Sequence, residues 1–513
     1  MSERMLEKSI GRMCFVGFEG LVPPHYLLDW IRAGRVGGVI LFARNIASPS
    51  QVADLTDALQ AVAPEGILVS IDQEGGVVAR LREKQGFTEV PGAMALASAT
   101  DSLHHVEQVA TVMAQELRAI GVHWDYHPVV DLSYNMANPS VGTRSFGRDP
   151  QLVSLLAAAA VRGLQQGGKG VAAAAKHFPG LGNTPIDTHE GLPIVDTSLD
   201  HLENVDLVPY RAVIAENIAT IMVTHTIFEA LDARLPATLS PVVVNRLLRD
   251  RLRFDGVVVT DCMEMKAVSN RYGAAESAVL SAIAGFDAIL FSHTPSHQEA
   301  VYDELLRSAY SGRLPRTVVD AASQRMELLR SNYLKPRSDI NIIRSPQHLA
   351  IARAAAQAGV TLLKKGNELP LIDEGLAVIE FSSILESGIV ESGGLTGFAR
   401  LFRERFPNAD VLIWREVVAD SVLALARRSR ILVLATRNAH LNPNQLAVAK
   451  QLMACAPQTI LVVLRNPYDA SELSDANTIF CTCGDAAPSL KAIIAMLAGD
   501  AVPLGKLPDG IFS

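Results

Sequence analysis

The chain has 513 residues, 49% of them hydrophobic and 19% charged, which is long enough for two or three domains and too apolar for intrinsic disorder. With 46 Lys and Arg against 54 Asp and Glu the net charge is −8, and no basic stripe runs along the chain, so a nucleic-acid partner is not expected. Five cysteines, Cys14, Cys262, Cys455, Cys481 and Cys483, contain no CxxC pair and suggest neither a disulfide framework nor a structural zinc site.

The amino-terminal MSERMLEKSIGRMCFVGFEG alternates charged and apolar residues where a secretory signal would need an unbroken apolar core, and no later stretch reaches the length of a membrane span. A soluble, cytoplasmic protein with no membrane partner is the expectation. Short aliphatic or β-branched runs then recur, each followed by a longer stretch of helical period. In order they are MCFVGF, GGVILFARN, GILVSIDQE, HWDYHPVVD, GVAAAAKHF, TIMVTHT, GVVVTDCME and FDAILFSH. Eight strand–helix units in about 300 residues predict a (β/α)8 barrel over residues 1–335.

Past the helix-like TVVDAASQRMELLRSNYL, the polar KPRSDINIIRSPQ carries two prolines and places a linker at 336–345. Six further runs follow: VTLLKK, LAVIEF, DVLIWR, RILVLAT, TILVVLR and TIFCTC. Separated by helical segments, they predict a second α/β domain over 346–513, built as a three-layer sandwich. In TIFCTC the two cysteines, two apart on a strand, share one face and read as small core residues.

The ends of the barrel runs carry the chemistry. Arg44 and Asn45, Asp72 and Glu74, Asp131, Lys176 and His177, His225, Asp261, and Ser292 and His293 all fall there, and barrel enzymes gather their reactive groups at that rim. The stretch KHFPGLGNTPIDTHEGLP, residues 176–193, is broken by Pro and Gly every few positions and reads as a loop above the barrel mouth. It holds Asp187 and His189 in a DxH triplet. An imidazole with a pKa of ~6.5 can give and recover a proton near neutrality, and an aspartate on its second nitrogen would fix its tautomer. Taken alone, the triplet fits a surface ion pair better than an acid/base dyad.

Asp261, closing GVVVTD, suits either a carbon-attacking nucleophile or a metal ligand, with an N-cap for the next helix as the structural alternative. Asp72, Arg80, Arg144, Lys176 and His177 are the binding candidates, since charge-assisted hydrogen bonds orient hydroxyl-rich ligands. His123 and His127 have i,i+4 spacing on a run that looks extended, and no HExxH, GxGxxG, P-loop or GxSxG motif is present, so no metal or other cofactor is expected.

Four motifs in order resemble glycoside hydrolase family 3 β-N-acetylglucosaminidases of the NagZ-like, two-domain type. KHFPGLGNTPIDTHEGLP resembles that family's KHFPG(H)G(D)T…DSH…LP signature, IDQEGGVVARL its DQEGGRVQR segment, VGTRSFGRDP its GxRSFGxDP segment, and DGVVVTDCMEM its nucleophile strand. GVTLLKKGNELPL and LRNPYD are similar to the second domain of two-domain members. The resemblance implies a carbohydrate substrate, an N-acetylglucosamine-containing glycoside or muropeptide. It also implies a nucleophile at Asp261, a proton-transferring His189 oriented by Asp187, and sugar contacts from Asp72, Arg80, Arg144, Lys176 and His177. Three departures stand out: Leu181 where the family has His, Asn183 where it has Asp, and Val77 where it has Arg. A family 3 β-glucosidase or xylosidase, a sugar phosphorylase, and a non-catalytic sugar-binding scaffold are the competing readings.

Overall fold

The computed structural model describes residues 3–184, 191–381, 397–414 and 420–512. Eight strands, β1 (Cys14–Val16), β2 (Gly38–Leu41), β3 (Leu68–Ile71), β4 (Trp124–Asp125), β5 (Ala172–Phe178), β6 (Thr220–Val223), β7 (Val257–Cys262) and β8 (Ala288–Phe291), close into a barrel with every neighbouring pair parallel. All eight expected runs supply one strand each.

Alternate side chains divide the strands between two cores, as a two-residue period requires. Phe15, Ile40, Leu68, Trp124, Ala172, Ala174, Met222, Val257, Val259, Ala288 and Leu290 fill the interior. Val39, Leu41, Val69, Ile71, Ala173, Ala175, Ile221, Val223 and Val258 face the surrounding helices. The alanine run in β5 makes room for the large rings of its neighbour. Trp124 packs edge-on against Phe15 and Tyr126, and donates from Nε1 to Thr220 Oγ1 at 2.9 Å. Helix Arg316–Tyr333 closes the amino-terminal end of the barrel, where Met326, Leu329 and Tyr333 join the interior and Arg330 donates to the carbonyls of Glu65 and Gly66 ahead of β3.

The second sheet contains β9 (Thr361–Lys364), β10 (Leu376–Phe381), β11 (Asp410–Trp414), β12 (Ile431–Thr436), β13 (Thr459–Val463) and β14 (Thr478–Cys481), in the order β9-β14-β13-β12-β10-β11. Only β9 runs antiparallel to its neighbour. Helices Asp420–Arg428 and Pro443–Cys455 cover one face, and helices Pro346–Gly359, Phe398–Arg405 and Ala487–Leu497 cover the other, giving the expected three layers. Cys481 and Cys483 are both buried in the first of these cores; Cys483 lies past the strand, in a left-handed conformation.

Candidate active site

The carboxyl ends of the barrel strands surround a cavity of about 310 Å³. Asp72, Arg80, Arg144, Lys176, His177 and Asp261 all line it. Asp187 and His189 lie outside the described residues. Lys176 and His177 sit in β5 itself, a correction to the reading of 176–193 as loop throughout: the chain-breaking residues begin only at Pro179, so the strand continues to Phe178. The Lys176–His177 and Phe178–Pro179 peptide bonds are cis.

Asp72 directly follows β3. The chain then turns back on itself at Gly75 and Gly76, both at positive φ, where a Cβ on Gly76 would come within 2.7 Å of the Gly92 backbone. Gln73 fixes the return by accepting at Oε1 from the backbone N–H groups of Arg80 (2.8 Å) and Leu81 (3.0 Å). Arg80 is thereby carried to the cavity, where Nη2 lies 3.5 Å from Asp72 Oδ2 and the guanidinium 5.7 Å from the Phe42 ring centroid. Arg144 ends the short turn Gly142–Arg144 that follows β4.

A closed network of charges joins these side chains. Lys176 Nζ donates to Asp72 Oδ1 and lies the same 2.7 Å from Glu74 Oε1. Arg144 forks onto Glu74 through Nε (2.8 Å) and Nη2 (2.7 Å), and Nη2 also lies 3.3 Å from His177 Nε2. His177 Nδ1 is 2.7 Å from Asp131 Oδ2, and the same carboxylate accepts the backbone N–H of Leu181 at 2.7 Å. Burial works against the charge on Glu74, but Arg144 and Lys176 override it and hold its carboxyl well below the usual range. Burial likewise opposes the charge on Lys176, and Asp72 with Glu74 raises its ammonium pKa despite it. Beneath them Asp125 is fully buried, and desolvation pushes its carboxyl well above the ordinary value.

Asp261 is the fifth residue of β7 and its Oδ1 accepts the N–H of Cys262 at 2.7 Å. It does not cap the next helix, which begins at Lys266 behind Met265. Opposite, Glu264 accepts from the backbone N–H of His293 (2.6 Å) and Thr294 (3.0 Å), tying the loop after β8 to the loop after β7. Apolar walls come from Ile40, Val78, Leu181, Met222 and Leu290. Fixed donors, fixed acceptors and an apolar lining suit a polyhydroxylated ring with one or more apolar faces.

The departures from the resembling motifs separate in space. Leu181 is buried in the cavity wall, Asn183 is exposed and donates to Thr197 Oγ1 at 3.3 Å, and the Val77 carbonyl accepts from Arg82. Among the rim residues, Arg44, Asn45, Asp131 and His225 do not line the cavity. Asp131 acts one step back by holding His177, and His225 Nε2 lies 2.9 Å from the Cys262 carbonyl. Glu74 and Glu264 are the contributors that sequence reading left without a role. Their signal is position alone, two and three residues past Asp72 and Asp261 at strand ends. His123 and His127 are buried, and desolvation lowers both to about 4, so they are neutral barrel residues. Among the described residues no three His, Cys, Asp or Glu side chains converge as a metal cage.

The chain resembles known proteins over the barrel and over its whole length. Residues 5–329 match the family described as Glycosyl hydrolase family 3 N terminal domain. A beta-hexosaminidase of Stenotrophomonas maltophilia (strain R551-3) is 38% identical over 295 residues, covering 56% of this chain and 86% of that protein. A beta-N-acetylglucosaminidase/beta-glucosidase of Cellulomonas fimi is 29% identical over 100% of this chain and 95% of its own. The solved structure of a glycoside hydrolase family 3 beta-N-acetylglucosaminidase from Paenibacillus sp. str. FPU-7 superposes with a TM-score of 0.90 at 34% identity, covering 98% of both chains. The likenesses over the barrel and over the whole chain agree, and the chain belongs to glycosyl hydrolase family 3, as a glycosidase.

Proposed function

We propose that this glycosidase is a retaining exo-β-N-acetylglucosaminidase that removes terminal β-linked N-acetylglucosamine, with peptidoglycan fragments as its natural substrates. The observation that carries the reading is the convergence of Asp72, Arg80, Arg144, Lys176, His177 and Asp261 on one cavity from four separate barrel strands or the loops after them. Asp261 attacks the anomeric carbon as the glycosidic bond breaks, and the leaving oxygen takes a proton from His189, which Asp187 orients. Water then attacks the same carbon, His189 takes up its proton, and the Asp261 carboxylate is released. Most retaining glycosidases use a second carboxyl group for the proton transfer, and here the histidine takes that role. The five cysteines are all unpaired, which suits action in a reducing, cytoplasmic setting.

Release of 4-nitrophenol from its β-N-acetylglucosaminide, with abolition in Asp261→Ala, tests the reading. Activity undiminished in that variant overturns it. The name of the Cellulomonas fimi relative makes a β-glucoside the necessary second substrate, and equal turnover of the two would widen the specificity accordingly. N-acetylglucosamine 1-phosphate appearing in phosphate buffer would mark transfer to phosphate instead of water. Sugar binding without turnover would mark a scaffold.

A further inference from the structure

The second sheet's carboxyl edge meets the barrel at the sequence LRNPYD, residues 464–469, which follows β13 and lines no part of the cavity. This turn is itself held rigidly. Arg465 Nε donates to Asp485 Oδ2 (3.1 Å), the same oxygen that takes Arg437 Nε (2.8 Å), and Arg437 also pairs with Glu380. Asp469 Oδ1 accepts the backbone N–H of His440 (3.0 Å) and lies 2.8 Å from its Nδ1, while the His440 ring packs edge-on against Tyr468 at 5.2 Å. Every one of these partners is buried or nearly so, which makes the turn a fixed surface.

What that surface touches is the loop 131–147, bearing Asp131 and Arg144. Tyr468 Oη lies 3.2 Å from Ser133 Oγ and 3.4 Å from the Ser133 carbonyl. Asn466 presses on Gly142: a Cβ at Gly142 would fall 2.4 Å from Asn466 Oδ1, and the glycine holds a φ of +42° two residues before Arg144. Inside the loop, Ser133 N–H donates to the Gly147 carbonyl (2.8 Å), Ser145 Oγ to the Asp131 carbonyl (2.6 Å) and Arg144 N–H to the Val141 carbonyl (2.9 Å). Asn138 extends the chain of contacts by donating from Nδ2 to the carbonyls of Leu181 (2.9 Å) and Thr184 (3.1 Å), at the near end of the segment leading to Asp187.

We infer that Tyr468 and Asn466 are positioning residues of the glycosidase site: the second domain braces the loop 131–147 and so sets where Arg144 and Asp131-held His177 meet the sugar. The inference rests on the proposed sugar-binding role of that cavity. Tyr468→Phe removes one hydroxyl and keeps the ring against His440, so the fold has little to lose. A brace lost in ground state and transition state alike raises KM and leaves kcat, by roughly fivefold for one hydrogen bond.

The test measures 4-nitrophenyl β-N-acetylglucosaminide kinetics, N-acetylglucosamine affinity by calorimetry and Tm for wild type, Tyr468→Phe, Ser133→Ala and the double variant. The expected result is weaker sugar affinity and higher KM in each single variant at nearly constant kcat and Tm, with the double variant no worse than the singles. Asn466→Ala is the second probe, because it should lessen the damage done by Gly142→Ala. Wild-type binding and KM retained in Tyr468→Phe and Asn466→Ala, or a fall in Tm alone, overturns the brace while leaving the site intact. A wild type that neither binds nor hydrolyses the sugar overturns the site reading, and the brace with it.

Discussion

Arg144 and Glu74, seventy residues apart, meet as a buried two-pronged pair, with Nε at 2.8 Å from Oε2 and Nη2 at 2.7 Å from Oε1. Lys176 adds a second cation on the same carboxylate at 2.7 Å. Removing the charge on Glu74 therefore leaves two buried cations without their shared partner, Lys176 keeping Asp72 and Arg144 keeping only the more distant Asp131 and Asp72. Glu74→Gln keeps the shape and is expected to cost roughly 3 kcal/mol, as breaking a buried pair does, seen as a lower Tm and a fall in kcat/KM of about a hundredfold. Thermal melting and steady-state kinetics check it. A variant with wild-type efficiency would show that the network merely fills space.

Asp206 sits beneath the loop after β5, where a Cβ on Gly180 would lie 3.3 Å from its own Cβ. Burial raises its carboxyl to about 7 and Asp131 adds to the rise, against the hydrogen bond from Tyr134 Oη at 2.9 Å; His201 Nε2 stands 3.6 Å away. The folded protein thus holds a proton that the unfolded chain, at ~3.9, has released. That stabilising contribution is complete below ~3.9 and is lost as pH climbs through about 7. Asp206→Asn keeps an acceptor for Tyr134 and removes the titration. Its Tm should decline less between pH 5 and pH 8 than that of the wild type, by about 2–4 °C or more. Identical pH slopes for the two proteins would contradict the assignment.

The barrel was legible because strands buried on both faces read as uninterrupted apolar runs, and the sheet of the second domain for the same reason. The run HWDYHPVVD shows the limit: only Trp124–Asp125 is strand, since Pro128 brings no N–H to a ladder, and pairing resumes as a lone bridge between Val129 and Lys176. Lys176, His177 and Asp261 were legible from position at strand ends. Glu74 stood in the same register, yet nothing local distinguishes an acid that will be clamped by Arg144 from one that will face water. The contact of Ser133 with Tyr468 spans 335 residues and two domains, so no window of sequence carries it.

Helix Ala487–Leu497 has no side-chain cap of its own. Glu89, from the barrel, supplies one: Oε1 accepts the N–H of Ala487 at 3.1 Å and pairs with Arg82 at 3.3 Å, and Oε2 accepts the N–H of Glu83 at 3.1 Å. Truncation strands a buried guanidinium and uncaps a helix in the other domain. Glu89→Ala should lose about 2 kcal/mol, read as a lower Tm, whereas Glu89→Gln, which still accepts the Ala487 N–H at Oε1 but gives up the charge facing Arg82 and the second acceptor, should lose somewhat less. Equal melting of the two variants would remove the cap from the account.

The proposed dyad is open to a sharper test than loss of activity. A proton donor matters in proportion to how poorly the departing oxygen carries negative charge. An alkyl aglycone such as methanol needs that proton as the bond breaks, and 4-nitrophenol, whose anion is stabilised by its ring, needs it far less. His189→Ala should therefore lower kcat/KM for the methyl β-N-acetylglucosaminide at least about tenfold more than for the 4-nitrophenyl compound. Asp187→Asn should fall the same way by a smaller factor, because it disturbs the tautomer and not the donor. Asp261→Asn removes the attacking group and should depress both substrates alike. Competitive turnover of the two glycosides by each variant gives the ratios directly, and a ratio unchanged in His189→Ala would take that imidazole out of proton transfer and return the acid's identity to the barrel rim.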